Sequence, residues 1–447
     1  MDFIFDTLLQ RPRVVGDPLH ENATHFPATD ALAGHGLINE PTTRSTAWMI
    51  GLPAVLGLWV VLCSSLRFRH EKAMLRRFHY PTRASFAKMT NDDAQQILKY
   101  ILGYEFPLMY KLSLQFALFK TYAFSTISSL LAHTKSFSDA SMAPKRYEDT
   151  SIIFGEFSVN PPTSERAIQA IARMNHLHSP WKKAGKISNA DLLYTLAVCV
   201  MEPIRFIALY EWRPLNDMEA CAIGTFWKSI GDAMEIEYKG YLTQDDWKDG
   251  IEFVEDITAW AKRYEVDDMK PNPSNRTLAD ALVGLLFPFV PAAAADFTLQ
   301  VMTVLMGDRV REAFMYPQPG IFACLVAFAS LNLRRFILRY FCLPRLRPLN
   351  YFSEPDPQTG RIKHFDYLLE PYYHPPTFWS RWGPMALVFR LLGGIVPGAP
   401  DFLPEGFLPT DLGPKHRMGK GSEEMKIDMA RMRETRPSGC PFSAHMA

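Results

Sequence analysis

Apolar positions along this chain recur with a helical period, and no stretch alternates apolar and polar long enough to build a sheet. The first strong feature is Ala47–Leu66, AWMIGLPAVLGLWVVLCSSL, twenty residues without a charge. At about 1.5 Å per residue such a helix crosses a hydrocarbon core of roughly 30 Å. A cleaved leader would start nearer Met1 and carry a shorter apolar region. The stretch therefore predicts a transmembrane helix over 47–66, the alternative being a buried core helix. Residues 1–46 show no periodicity and read as an irregular tail.

Beyond the span, NDDAQQILKYILG predicts a helix capped by Asn91 and ended by Gly103. The segment FPLMYKLSLQFALFKTYAFSTISSLLAH predicts one deeply buried helix, and residues 136–163 read as looser. Three helices follow. The first runs from Ser164 to His178 and is stopped by Pro180. The second starts at Asn189 and is kinked or ended by Pro203. The third starts at Asn216, with Glu219 as its capping-box partner. Further helical pattern appears over 245–264, 276–313 and 320–342. After Leu343 the chain turns rich in proline and aromatics; Trp382–Val396 reads equally as a helix lying on a bilayer or as one packed onto the body. The last thirty residues are polar and read as extended. The expected fold is all-α: a single large helical domain after one N-terminal transmembrane helix.

Charge sharpens this picture. Arg67, Arg69, Lys72, Arg76 and Arg77 follow the span, whereas only Arg44 lies close upstream. The positive-inside rule places the long C-terminal part in the cytosol and residues 1–46 across the membrane. Asn22-Ala-Thr24 then becomes a glycosylation acceptor in a lumenal tail. The expected organisation is a 1–46 tail, a 47–66 span, a 67–90 basic linker, a 91–345 helical domain and a 346–447 C-terminal region. Of 447 residues, 48% are hydrophobic, enough to bury a large core, and the net charge of +1 offers no electrostatic case for nucleic acid. Six scattered cysteines without a CxxC pair argue for buried thiols and against a zinc site or a disulfide framework.

Two of the twelve histidines stand two residues apart in RMNHLHSPWKKAGK. On a helical wheel Ala167, Ile171 and Met174 share one face within roughly 60°, and His178 falls among them. His176 lies at the edge of the opposite face with Arg166, Gln169 and Arg173. The two rings point about 200° apart, so they cannot serve one site while the helix persists. An inward histidine at a helix end either bonds a carbonyl or ligates a cofactor such as haem. Periodicity leaves both open.

The strings KRYEDT, ARMNHLHSPWKKAGKISNADLLYTL and MEACAIGTFWKSIGDAMEI resemble the catalytic domain shared by latex clearing proteins (rubber oxygenases) and the ER-bound oxygenases of the MpaB type. The tail DLGPKHRMGKGSEEM and the N-terminal anchor resemble the MpaB-type branch. The resemblance implies a helical body holding haem b, with His178 as axial iron ligand, on the cytosolic side of the endoplasmic reticulum membrane. It implies cleavage of an isoprenoid double bond in a lipophilic prenylated small molecule, with O2 as co-substrate. Arg146 and Thr150 fit the family's basic residue and threonine: Arg146 suits a haem propionate or dioxygen, and Thr150 a hydrogen bond to the distal oxygen. Taken alone, Arg146 reads as a loop cation and Thr150 as a helix cap. Rubber oxygenases carry a lysine where this chain has Asp149, so a lysine-capped iron is not implied. Gly224 and Gly231 share a face of the third helix, either against a crossing helix or against a flat macrocycle, with Thr225 and Trp227 beside them.

Two rival readings stand beside this one. Asp245, Asp246 and Asp249 form a DDxxD string of the kind prenyl synthases use to hold Mg2+ on a diphosphate, but the second metal box is missing, and Thr243 reads as the cap of a helix over the same residues. A membrane-anchored haem or lipid carrier without catalysis is the other.

Overall fold

The computed structural model describes residues 43–133, 142–286, 290–435 and 439–442. Asn22 lies outside these residues. The chain divides into two units, Met1–Val55 and Leu56–Ala447. Among the described residues the first holds only the opening turns of helix α1 (Thr43–Leu66).

The second unit is helical throughout. In chain order it continues α1 and adds α2 (Arg69–Arg77), α3 (Asn91–Tyr100), α4 (Pro107–Thr121), α5 (Ser125–His133), α6 (Ala143–Val159), α7 (Glu165–Lys183), α8 (Asn189–Tyr210) and α9 (Asp217–Ala233). Then come α10 (Gly250–Asp268), α11 (Pro273–Leu286), α12 (Ala292–Met306), α13 (Asp308–Ala313), α14 (Ile321–Tyr340), α15 (Phe378–Trp382), α16 (Pro384–Leu391) and α17 (Ser422–Thr435). No strand forms among the described residues, only single bridges at Phe352–His364 and Ile362–Phe407. The centre is α8 packed along α4, flanked by α9 and α10, with α6 against α7 on the cavity side.

Several expected boundaries hold, and one of them for the expected reason. Asn216 caps α9 and Glu219 returns the bond, closing the capping box. Ser188 and Asp191 do the same for α8, and Ser164 caps α7.

Others shift. Pro180 does not stop α7, which runs on to Lys183. A proline costs its helix one hydrogen bond and a local clash, and the true stop is Gly185. Its φ of +64° is one that glycine adopts without strain. Gly185 N bonds Lys182 O and Lys186 N bonds Trp181 O, a Schellman cap. In the same way α8 continues through Pro203 to Tyr210. Thr90, not Asn91, caps α3, which passes into a wider turn over Ile101–Glu105. The 106–133 segment is two helices broken after Thr121. The stretch 136–163, expected loose, contains α6, and the polar tail, expected extended, contains α17.

The 245–264 helix begins only at Gly250. Asp256 collects Thr243 N and Oγ1, Gln244 N and Trp247 Nε1, which holds residues 243–247 as a loop. Among the described residues three helices, not one, have the length and composition to cross a membrane: 51–77, α8 and α14. Most of α8 is buried in the body, so apolarity alone does not single out 47–66.

Candidate functional site

Between α4–α5 on one side and α6–α9 on the other lies a cavity of about 520 Å³. Its walls are mostly apolar: Leu130, Ile153, Phe154, Phe157, Met174, Leu196 and Trp227 among them. His178, Arg146 and Thr150 all line it, as do Lys145 and Asp149. The three residues expected to form the site are therefore gathered in one place, although 28 positions separate Thr150 from His178.

The wheel argument holds for the histidines. His178 faces the cavity. His176 lies against the backbone at Gly421, which has no room for a Cβ there. Burial pushes the His178 ring down to about 4, assisted by the positive charges of Arg146 and Lys182. The ring is neutral at pH 7, the state in which imidazole coordinates a metal. Its Nδ1 is buried and has no hydrogen-bond partner. The bland alternative, a ring satisfied by a helix-end carbonyl, is not what this nitrogen does.

Arg146 is partly buried, and desolvation lowers its pKa below the ordinary guanidinium value. It sits inside α6, not in a loop. Thr150 is one turn further along the same helix, not at its cap. Its Oγ1 donates to Arg146 O at 2.9 Å, so it must rotate away before it can donate to a ligand.

Asp149 is fully occupied. It accepts from Lys145 Nζ at 2.6 Å, Gly413 N at 2.8 Å and Tyr373 Oη at 2.9 Å. Burial raises its carboxyl to about 6 in spite of Lys145. Lys145 is pinned in return, donating also to Asp411 O and Gly413 O. The one lysine of α6 that lines the cavity is thereby tied down.

Sequence reasoning missed the residue that closes this wall. Arg173 was placed on a polar, outward face, but it is buried beneath the C-terminal segment. It donates to Leu412 O, Lys420 O, Thr410 O and Arg417 O at 2.6–3.0 Å. Those bonds hold Gly413–Arg417 over the cavity. The two strings that meet here, around Arg173 and DLGPKHRMGKG, were both conspicuous in the sequence; their contact was not.

Thr225 and Gly231 do not line the cavity. Thr225 packs at Gly250, and a Cβ on Gly224 would run into the Gly250 carbonyl, so α9 and α10 touch backbone to backbone. Gly231 accommodates Leu196 and Tyr238. These glycines serve helix crossing, as the commoner use of helical glycine would have it. Trp227, by contrast, does reach the cavity. In the DDxxD string, Asp249 caps α10 through Ile251 N and Glu252 N and pairs with Arg83 at 2.9 Å. It works there as a helix cap.

Among the described residues no three His, Cys, Asp or Glu side chains gather to hold a bare metal ion. A neutral imidazole with an unpartnered nitrogen, in a large apolar cavity whose lining also holds Arg146 and His416, is a donor that fits a haem. The class thus defined is an all-helical protein with an inward helix histidine in an apolar pocket.

The comparisons agree with that class. Residues 129–331 match the family model described as ER-bound oxygenase mpaB/B'/Rubber oxygenase, catalytic domain. The chain is 40% identical over 403 residues to ER-bound oxygenase mpaB' of Penicillium brevicompactum, covering 89% of this chain and 95% of that protein. It is 40% identical over 363 residues to ER-bound oxygenase mpaB of the same species, covering 79% and 84%. It is 43% identical over 270 residues to ER-bound oxygenase mpaB of Penicillium roqueforti (strain FM164), covering 60% and 91%. The chain belongs to the ER-bound oxygenase mpaB/rubber oxygenase family.

Proposed function

We propose that this protein is a membrane-anchored, haem-dependent oxygenase that cleaves a carbon–carbon double bond in the isoprenoid chain of a lipophilic small molecule. The observation that carries this reading is His178: a neutral imidazole, its Nδ1 unpartnered, turned into a large apolar cavity that Arg146 also lines.

His178 would hold the iron of haem b, and a haem bound there would supply the binding and activation of O2. Arg146 would offer a cation in the cavity wall for a haem carboxylate or for charge developing on oxygen. Thr150, once its hydroxyl leaves Arg146 O, donates a hydrogen bond at the same wall. Asp149 keeps Lys145 engaged, so that lysine would not be available to a bound haem iron. The apolar walls desolvate the alkene and exclude water. The overall change balances without an added reductant: the O=O and C=C bonds break, and each carbon end gains one oxygen as a carbonyl.

The family's ER-bound members support a place on the endoplasmic reticulum membrane. In this reading α1 is the anchor, residues 1–46 are lumenal with Asn22 glycosylated, and the body is cytosolic.

The test is the absorption spectrum of the purified protein reconstituted with haem. The wild type gives an intense Soret band, and His178→Ala loses or shifts it. A spectrum unchanged by the mutation removes His178 from the site. A colourless wild type sinks the haem reading, and a coloured protein that takes up no O2 with a prenylated alkene is a carrier.

A further inference from the structure

Where α1 joins the helical body, a cationic cluster forms that the cavity does not use. Trp212, between α8 and α9, is its hub: Arg67, Arg213 and Arg339 bring their Cζ atoms to 4.5, 5.3 and 5.6 Å from its ring centroid. Phe68 packs edge-on against the same ring at 5.2 Å and carries Arg339 over its own face at 4.3 Å. Arg67, Trp212 and Arg213 are all more than nine-tenths buried. A guanidinium at such depth calls for a carboxylate or a set of acceptors. Arg213 has them in Glu219 and Glu105, and Glu71 lies 3.7 Å from its Nε. Glu211 is turned to Arg334 at 2.8 Å. Arg67 and Arg339 form no ion pair among the described residues, and Arg67 Nε, Arg339 Nη1 and Trp212 Nε1 are buried donors without an acceptor.

The surroundings are those of a membrane boundary. Arg67 directly follows the last residue of the apolar helix α1. Trp59 of α1 donates its indole N–H to Phe341 O, which closes α14. Near that junction Leu58, Val61 and Leu62 of α1 and Phe336 and Ile337 of α14 are exposed. We propose that the cluster is a phospholipid site: Arg67, Trp212 and Arg339 hold the phosphate of an anionic, hydroxyl-bearing headgroup, and the acyl chains lie against the exposed faces of α1 and α14. This rests on α1 crossing the bilayer and not on the oxygenase chemistry. A phosphodiester supplies the acceptors that the three donors lack, and its paired oxygens match a guanidinium fork. Basic pockets beside spanning helices are suited to such headgroups. Glu211 Oε2, a buried acceptor without a donor, takes a headgroup hydroxyl. A choline headgroup offers no hydroxyl, and its lipid has no net charge.

The experiment titrates full-length protein in one neutral detergent with phosphatidylinositol, phosphatidylcholine or inorganic phosphate, and counts bound lipid by native mass spectrometry. The wild type binds phosphatidylinositol about tenfold or more tightly than phosphatidylcholine. Arg67→Gln and Arg339→Gln each erase most of that preference. Trp212→Phe keeps the ring and removes the N–H; it lowers the preference and guards against an arginine variant that fails to fold. Arg76→Gln removes an exposed charge of α2 outside the cluster and leaves the preference intact. Equal binding of the two lipids by the wild type overturns the proposal. So does an equal loss in Arg76→Gln and Arg67→Gln, the mark of diffuse attraction to the basic linker, or displacement of phosphatidylinositol by an equal concentration of inorganic phosphate, the mark of a free-anion site. Because the titration is done in detergent, release of the wild type from carbonate-washed membranes counts against the α1 anchor alone.

Discussion

Helices α8 and α14 are nearly matched as sequences: 22 and 20 residues, both apolar enough to cross a bilayer. In the folded body they part completely. Two-thirds of the apolar stretch of α8 is buried, against 11% of that of α14. The difference lies in what their charges do. The acidic group inside α8, Glu202, is met by Lys120 at 3.0 Å and by Arg205 at 2.7 Å, as a core charge must be. In α14 the charges crowd one end. Arg334 and Arg335 donate to Tyr210 O and Leu209 O, the orphan carbonyls closing α8, and Arg334 also pairs with Glu211. The other end of α14 presents Ile321, Phe322, Leu325 and Phe328 outward. One helix is the core, and the other caps it with a basic end while leaving an apolar stripe uncovered. Hydropathy measures transfer from water and does not name the medium that receives the helix.

The comparison breaks most easily at Ala197, fully buried at the middle of α8. Ala197→Asp places an unpaired charge in the core and should cost about 4 kcal/mol or more, enough to abolish cooperative folding. Thermal denaturation followed by circular dichroism checks it; a normal transition would show that α8 is not the core helix described.

A smaller effect concerns α7, whose inward face carries His178. The folded-state pKa of this ring is depressed to about 4, whereas an unfolded histidine titrates near 6.5. The unfolded chain therefore binds the proton first as pH falls. Stability from this group is complete above about 6.5 and declines down to about 4, by roughly 2–3 kcal/mol. In cofactor-free protein, His178→Ala should lose that component of the pH dependence. Equal slopes for the two proteins between pH 4 and 6.5 would show that His178 is protonated as easily folded as unfolded.

The smallest effect is expected on the outer stripe. Leu325, 62% exposed, changed to Asp should alter the stability of the detergent-solubilised body by no more than about 0.5 kcal/mol. The same change should weaken retention in carbonate-washed membranes, since an aspartate at bilayer depth costs about 2.5–3.5 kcal/mol. Retention equal to wild type would mean that water, not lipid, covers this stripe.

Legibility followed the range of the forces involved. Caps act within one turn, so Asn216–Glu219 announced its helix, and the wheel separated His178 from His176 without any knowledge of neighbours. Helix α6 was missed because its surroundings are rich in serine, proline and glycine, although Pro144 in its first turn is a helix-start signal. Helix α17 was missed because its polar composition hid Met425, Met429 and Met432, buried residues at helical spacing. The loop before α10 was unreadable in principle, since it is held by Asp256 from the next helix.

The sequence by itself determined an all-helical chain, its main capped helices and which of two histidines looks inward, because these follow from periodicity and neighbours within a few residues. Tertiary structure alone decided that α8 lies inside and α14 outside, that Asp149 restrains Lys145, and that Arg173 straps the C-terminal segment over the cavity. Those outcomes depend on partners as many as 268 residues apart, the separation of Lys145 from Gly413. No local pattern records which distant carbonyl or carboxylate will meet a buried charge.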